Sequence, residues 1–175
     1  MLDKNILKIA FIFILICYGT KAGLAPMHTW LPDAHSQAVA PISALLSGVL
    51  LKTAIYAILR FGIIVIKSGG LVYFTHLMLI FGVISLVISG GLILVQKDLK
   101  RLLAYSSIEH IGIIAIGFGL ASPLAIAGAI LHVFNHAVTK SLMFFGAGNI
   151  VSVYKKHNMN AIRGCLLYTS DAADE

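Results

Sequence analysis

The sequence predicts an all-α integral membrane protein, a bundle of about five transmembrane helices with one of them broken near Gly23–Pro26. Three observations carry this expectation. Hydrophobic residues make up 59% of the 175 residues and charged residues only 11%, whereas a soluble domain carries roughly a quarter charged. A soluble fold of this length has too little interior for so much apolar surface, so lipid must be its solvent. The apolar residues gather into five blocks, each long enough at ~1.5 Å per residue to cross a bilayer. None shows the period-two alternation of a membrane barrel.

The blocks follow one another closely. The first runs from about Asn5 to Ala25, the second from Pro41 to Ile66 and the third from Leu71 to Val95. The fourth covers about Leu102 to Leu120 and the fifth about Pro123 to Tyr154. The first block has no small-residue cleavage pattern and is followed by runs of equal hydrophobicity, so it reads as a span and not as a signal peptide. Ser68-Gly69-Gly70, the polar run Gln96 to Arg101, and Ala121-Ser122-Pro123 link the later blocks. Links this short make consecutive helices antiparallel neighbours. Gly82, Gly90, Gly112, Gly128 and Gly146 let such helices approach closely. Cys165 to Glu175 breaks the pattern: hydrophobicity restarts at Cys165-Leu166-Leu167 and gives way to an acidic end. Residues 1–164 therefore read as one transmembrane domain and 165–175 as an atypical tail, a truncation or an artefact.

The net charge of +6 does not indicate a nucleic-acid surface. The basic residues form no stripe with interleaved aromatics; most lie between apolar runs, where topology explains them. With five spans, Lys97, Lys100, Arg101, Lys155, Lys156 and Arg163 fall on one side, and Lys4, Lys8, Arg60 and Lys67 on the other. The larger group is assigned to the cytoplasm. Two distant cysteines, Cys17 and Cys165, make no disulfide framework, zinc knuckle or iron–sulfur spacing. No glycine-rich nucleotide fingerprint occurs. No cofactor, metal site or catalytic residue is expected in this chain.

Lys21 to Pro41 is the most unusual connection. It holds Gly23, Pro26, Pro32 and Pro41 beside His28, Trp30, Asp33 and His35. Proline removes a helix donor and clashes with the preceding turn, so the first helix breaks near Gly23–Pro26 and a short one restarts around His28 to Ala34. Two readings stand: a broken helix lining a watery cavity, as at transport sites, or a surface loop anchored by Trp30. Asp33 and His35 either cap the restarted helix or serve a channel entrance.

Polar residues inside apolar blocks point to chemistry. Lys52 lies roughly ten residues inside the second block, near the bilayer midplane, with Tyr56 one turn on as a possible hydrogen-bond partner. An ionised lysine there costs at least a few kcal/mol, so its protonation becomes a variable of the site; the alternative is a lysine that snorkels to the surface. Lys21 sits just before the helix break, either as a loop-facing charge or as a proton site at a discontinuity. His132, His136 and Lys140 recur at i, i+4 and i+8, hence on one face of the fifth helix, with Asn135 and Thr139 beside it. Groups about 6 Å apart and bridged by water make a proton wire, because histidine passes protons through its two nitrogens. His-x-x-x-His is also a metal spacing, but no third ligand adjoins it in sequence. Glu109 and His110 lie inside the fourth block about 100° apart on the helix. Intramembrane acids mark sites by default, though Glu109 is also placed to pair with Lys100 or Arg101.

Several of these runs resemble one family. KAGLAPMHTWLPDAHS from Lys21, GVLLKTAIYA from Gly48, KDLKRLLAYSS from Lys97 and HVFNHAVTKSL from His132 closely resemble, in the right order, the antiporter-like proton-pumping subunits of respiratory complex I, Mrp antiporters and membrane-bound hydrogenases. Ser107-Ile-Glu109-His110 and His132 to His136 are most similar to component F of hydrogenase 4. The resemblance implies paired inverted bundles, each with a broken helix, and a central line of buried lysines and histidines. Lys21 matches the broken-helix lysine, Lys52 the central lysine of the next helix, and His132, His136 and Lys140 the polar groups of a later one. Lys21's family partner is a glutamate on an earlier helix, which is absent here, as is the later broken helix; the chain is thus expected to be an internal fragment.

The implied activity is proton translocation in a redox complex of the hydrogenase 4 or NADH:quinone oxidoreductase type, in the cytoplasmic membrane of a prokaryote, with no redox centre in this chain. The implied partners are other membrane subunits, lipid, protons and no nucleic acid. Three alternatives differ in kind: a sodium/proton antiporter subunit; a membrane cytochrome holding haem through His76, His110, His132 or His136; and a structural subunit whose polar groups only join helices.

Overall fold

A computed structural model describes residues 4–155 and 158–159. The tail expected at 165–175, like Lys156 and Arg163 of the orientation argument, lies outside the described residues. Among the described residues the chain is helical, with no strand. The elements are α1 (Lys4–Ala22), α2 (Trp30–Gln37), α3 (Ala40–Leu45), a π-helical turn (Leu46–Leu50), α4 (Leu51–Lys67), α5 (Leu71–Ile93), α6 (Leu99–Gly119) and α7 (Pro123–Tyr154). The segment from α3 through the π turn to α4 forms one 28-residue span, Ala40–Lys67.

Among the described residues four helices are long and apolar enough to cross a membrane: α1, Ala40–Lys67, α5 and α6. The fifth, α7, is the longest at 32 residues; His132, Asn135, His136 and Lys140 lower its apolar character. Four such spans together with the more polar α7 approximately fit the expected bundle of about five.

Local chemistry sets the helix ends. Gly23 adopts φ +78°, the left-handed conformation that glycine takes without steric cost. Its N–H reaches Thr20 O at 3.2 Å and the Leu24 N–H reaches Gly19 O at 2.9 Å, the paired bonds of a Schellman stop. Trp30 Nε1 donates to Thr20 O at 2.7 Å, and the Ala25 N–H donates to Ser85 Oγ on α5 at 2.8 Å. The helix break is therefore satisfied by the protein itself. Asp98 caps α6, accepting from the N–H groups of Lys100 and Arg101 at 2.9 and 3.0 Å. Ser122 caps α7 by accepting from Ala125 N at 3.2 Å, with Pro123 at the first turn, where a missing donor costs nothing.

In the packing, α5 lies along α6, α1 along α4, α6 along α7, and α3 with the π turn against α7. Close approach of α5 and α6 rests on glycine: a Cβ built on Gly82 would lie 2.9 Å from Gly112 O. The most enclosed span is α6, with 56% of its most apolar stretch buried against 33% or less for the other three. Of the polar residues on α6, Lys100 and Ser107 are buried. The outer faces carry Phe13, Val72, Val87, Leu124 and Leu142, all exposed, as a lipid-facing surface requires.

Candidate functional site: a buried lysine and histidine cluster

The π turn shapes the first part of the site. The wider helix places Ser47 and Gly48 in the interior, where Gly48 faces Ser141 and Ala137 O of α7 with no room for a side chain. Lys52, a turn later, reaches back and donates to Ser47 O. Tyr56 is not its partner: that ring is exposed and lies under Arg60, 5.9 Å from the guanidinium carbon. The sequence placed Tyr56 one turn from Lys52 but gave no sign of the backbone widening that offers a nearer carbonyl.

The second part is the α6–α7 seam. His110 Nδ1 and His132 Nε2 are 3.0 Å apart. The His110 ring lies 5.0 Å from both the His132 and His136 rings, which are 6.4 Å from each other. His110 thus adds a third imidazole beside the i, i+4 pair, hydrogen-bonded to His132 and in ring contact with His136. Lys140, 3% exposed, donates to Ser106 Oγ and, at 3.4 Å, to Leu103 O. His136 is 4% exposed, and neither of its nitrogens has a hydrogen-bond partner in the protein. These groups open on a cavity of about 380 Å³ lined by Ser106, His110, His132, Asn135, His136 and Lys140 among others. Lys52 opens on a different cavity, about 490 Å³, walled by Val133, Phe134 and Ala137 on the other side of α7.

The remaining candidates fall outside the cluster or at its edge. Lys21 is exposed at the end of α1. Glu109 is half-buried on α6 and pairs with neither Lys100 nor Arg101. Lys100 donates to Ala38 O at 2.9 Å, and Arg101 is paired with Asp33. His76 is exposed on α5, apart from the other histidines of the cytochrome alternative. Among the described residues no cluster of three or more His, Cys, Asp or Glu has metal-holding geometry.

The segment between the first two spans is more than a loop. Asp33 does not cap α2, whose N-cap is Thr29; it ties α2 to Arg101 on α6. His35 is fully buried, stacked on Phe144 of α7 at 4.5 Å, with neither nitrogen hydrogen-bonded. Burial, then the charges of Lys140, Lys100 and Lys52, push its pKa down to about 4. Burial likewise holds His28 below the ordinary imidazole range. Sequence reasoning missed Ser47, Ser106 and Ser107. Their only visible signal was small hydroxyls at positions the helical period turns inward.

A broken first helix, an enclosed central helix and buried basic groups within apolar spans are the features of a transport-type membrane domain. The chain belongs to the transmembrane NADH:quinone oxidoreductase/Mrp antiporter family, whose profile matches residues 1–170. It is 44% identical over 163 residues to a hydrogenase-4 component F homolog of Methylacidiphilum infernorum, spanning 93% of this chain and 34% of that protein. It is 42% identical over 135 residues to NAD(P)H-quinone oxidoreductase chain 4 of a Synechococcus strain, spanning 77% and 25% respectively. The chain thus spans about a third or less of these relatives. Its fold matches a subunit of an archaeal membrane-bound sulfane sulfur reductase with TM-score 0.86 at 26% identity, over 93% of this chain and 33% of that one. It also matches a subunit of the Mrp complex of Dietzia with TM-score 0.75 at 24% identity, over 81% and 26%.

Proposed function

We propose that this chain forms part of a proton-translocating membrane subunit coupled to a redox complex of the hydrogenase 4 or NADH:quinone oxidoreductase type, with the oxidation chemistry held by partner subunits in a prokaryotic cytoplasmic membrane. The observation that supports this most is the grouping of five basic side chains from three helices about α7, with His110, His132, His136 and Lys140 on one side of that helix and Lys52 on the other. Basic groups are costly in a membrane interior, and their retention there marks an ion path. In this proposal Lys140 and the imidazoles, which both accept and donate protons, hand a proton along α7, with Glu109 modulating Lys140. Lys52 responds because unscreened like charges in a low-dielectric interior repel strongly. Lys21 serves at the helix break.

The test is proton pumping by inverted membrane vesicles carrying the assembled complex, wild type against Lys52→Ala, with assembly followed on a native gel. Pumping lost at intact assembly is the expected result; pumping unchanged overturns Lys52 as a proton-carrying group. The matched family also includes Mrp antiporters, which favours a second reading as a sodium/proton antiporter subunit. That reading expects pumping or exchange to stop when sodium is withdrawn.

A further inference from the structure

One hydrogen-bonded connection inside the bundle has no place in the lysine and histidine path. Ser47 of the π turn and Ser107 of α6 are both fully buried, and their hydroxyl oxygens are 3.0 Å apart. Ser47 offers its carbonyl to Lys52. Ser107 donates to Leu103 O at 3.0 Å, and Leu103 O is also the acceptor for Lys140 at 3.4 Å. The route Lys52–Ser47–Ser107–Leu103–Lys140 therefore joins lysines that open on opposite sides of α7.

Leu103 O is oversubscribed. A carbonyl has two lone pairs, and one is used by the α6 helix bond from residue 107. Three side-chain donors reach for what is left: Ser106 Oγ at 3.0 Å, Ser107 Oγ at 3.0 Å and Lys140 Nζ at 3.4 Å. They cannot all be served at once. Ser107 has one proton and one other neighbour to give it to, the Ser47 hydroxyl. When Ser107 donates to Leu103 O, Ser47 donates to Ser107. When Lys140 takes that carbonyl, Ser107 turns and donates to Ser47, whose own proton must then find another acceptor such as the carbonyl one helical turn back. Both arrangements keep the Ser47 and Ser107 hydroxyls bonded, and they differ in the direction of the dipoles beside Lys52.

We propose that the Ser47–Ser107 hydroxyl pair is a positioning element that couples Lys52 to Lys140, its O–H bonds reversing as Lys140 takes or yields the Leu103 carbonyl. No proton is transferred along the pair, because the contact with Lys52 runs through a backbone carbonyl and not through the Ser47 hydroxyl. The pair transmits the state of one lysine to the other without opening a water path between the two cavities. The inference rests on the proton-translocating reading.

The test measures protons pumped per substrate turnover in vesicles carrying the assembled complex, for Ser47→Ala, Ser107→Ala, the double variant, Ser107→Thr and, in parallel, Lys52→Ala. Each single alanine is expected to shift the equilibrium between the two arrangements about fivefold, the factor of one net hydrogen bond, and so to lower the protons pumped per turnover clearly below wild type. The double variant should match either single within about twofold, because the two hydroxyls act as one unit. Ser107→Thr, which keeps the hydroxyl, should restore most of the wild-type value. Unchanged pumping in both alanine variants, beside a loss in Lys52→Ala, overturns the role of the pair and leaves the translocation reading standing. Multiplying losses in the double variant, or failure of threonine to rescue an assembled complex, overturns it as well. An inert Lys52→Ala removes both readings together. Should Ser107→Ala prevent assembly, Ser47→Ala with Ser47→Thr carries the same comparison from the opposite helix.

Discussion

Replacing His35 with phenylalanine should make the fold less sensitive to acid. His35 is fully buried against Phe144, and its pKa falls from 6.5 to about 4 in the folded state. An unfolded chain binds a proton at this residue near pH 6.5, whereas the folded chain resists until about pH 4, so between those values the unfolded state holds more protons. Stability from this group is therefore complete above pH 6.5 and declines as pH falls toward 4. A drop of 6.5 − 4 ≈ 2.5 pKa units corresponds to about 3 kcal/mol at the acid limit, of which about 2 kcal/mol is already lost at pH 5. Phenylalanine preserves the stack on Phe144 and has no proton to bind. The assay is thermal unfolding of the detergent-solubilised protein at pH 7.5 and pH 5, wild type beside His35→Phe. The variant should lose distinctly less thermal stability on acidification. Equal losses in the two proteins would show that His35 is not held neutral by its burial.

Other predictions concern packing and the tie between α2 and α6. Lys100→Met keeps the apolar stem but removes the bond to Ala38 O, and should cost about 1.5–3 kcal/mol, the range for a hydrogen bond to a charged group. The Asp33–Arg101 pair is 68% and 43% exposed, so a double-mutant cycle with alanine should return less than about 1 kcal/mol of coupling, shrinking further in high salt. Gly82→Val pushes a side chain at Gly112 O and Ile116 and should cost about 1–3 kcal/mol by overpacking. Gly128→Ala meets open space and should be neutral or gain up to about 1 kcal/mol of helix propensity. Equal effects of the two glycine substitutions in thermal unfolding would contradict the close approach of α5 and α6.

Much of the architecture was legible because the membrane restricts the choices. A backbone without water must bond to itself, so apolar runs of this length could only be helices, and Gly23 with Pro26 could only interrupt one. The i, i+4, i+8 stripe on α7 was readable from helical period alone. What sequence could not give is which residues from other helices meet that stripe. His110 stood apart from His132 and His136 by chain distance, and only the packing of α6 on α7 seats it between them. The Tyr56 partnership failed for a related reason. The expectation assumed uniform α-helix around Lys52, and one π turn, which no residue pattern announces, moved a carbonyl into reach instead. Asp33 stood open between a helix cap and a channel-entrance residue; its partner, Arg101, lies 68 residues on in the sequence.

The arrangement of α7 gives these details a common physical sense. The helix divides two cavities, its His132–His136–Lys140 face lining one and its Val133–Phe134–Ala137 face walling the one that holds Lys52. An open water channel joining them would let protons run down their gradient without doing work. A separating wall that still transmits charge avoids this. Gly48 lets the π turn approach Ser141 and the Ala137 carbonyl of α7 closely at the level of Lys52. The interior contacts that cross beneath it are fully buried and hydrogen-bonded. In a low-dielectric interior such contacts and bare charges act over longer distances than in water. The same close packing that excludes water therefore strengthens the electrostatic link between the groups it keeps apart.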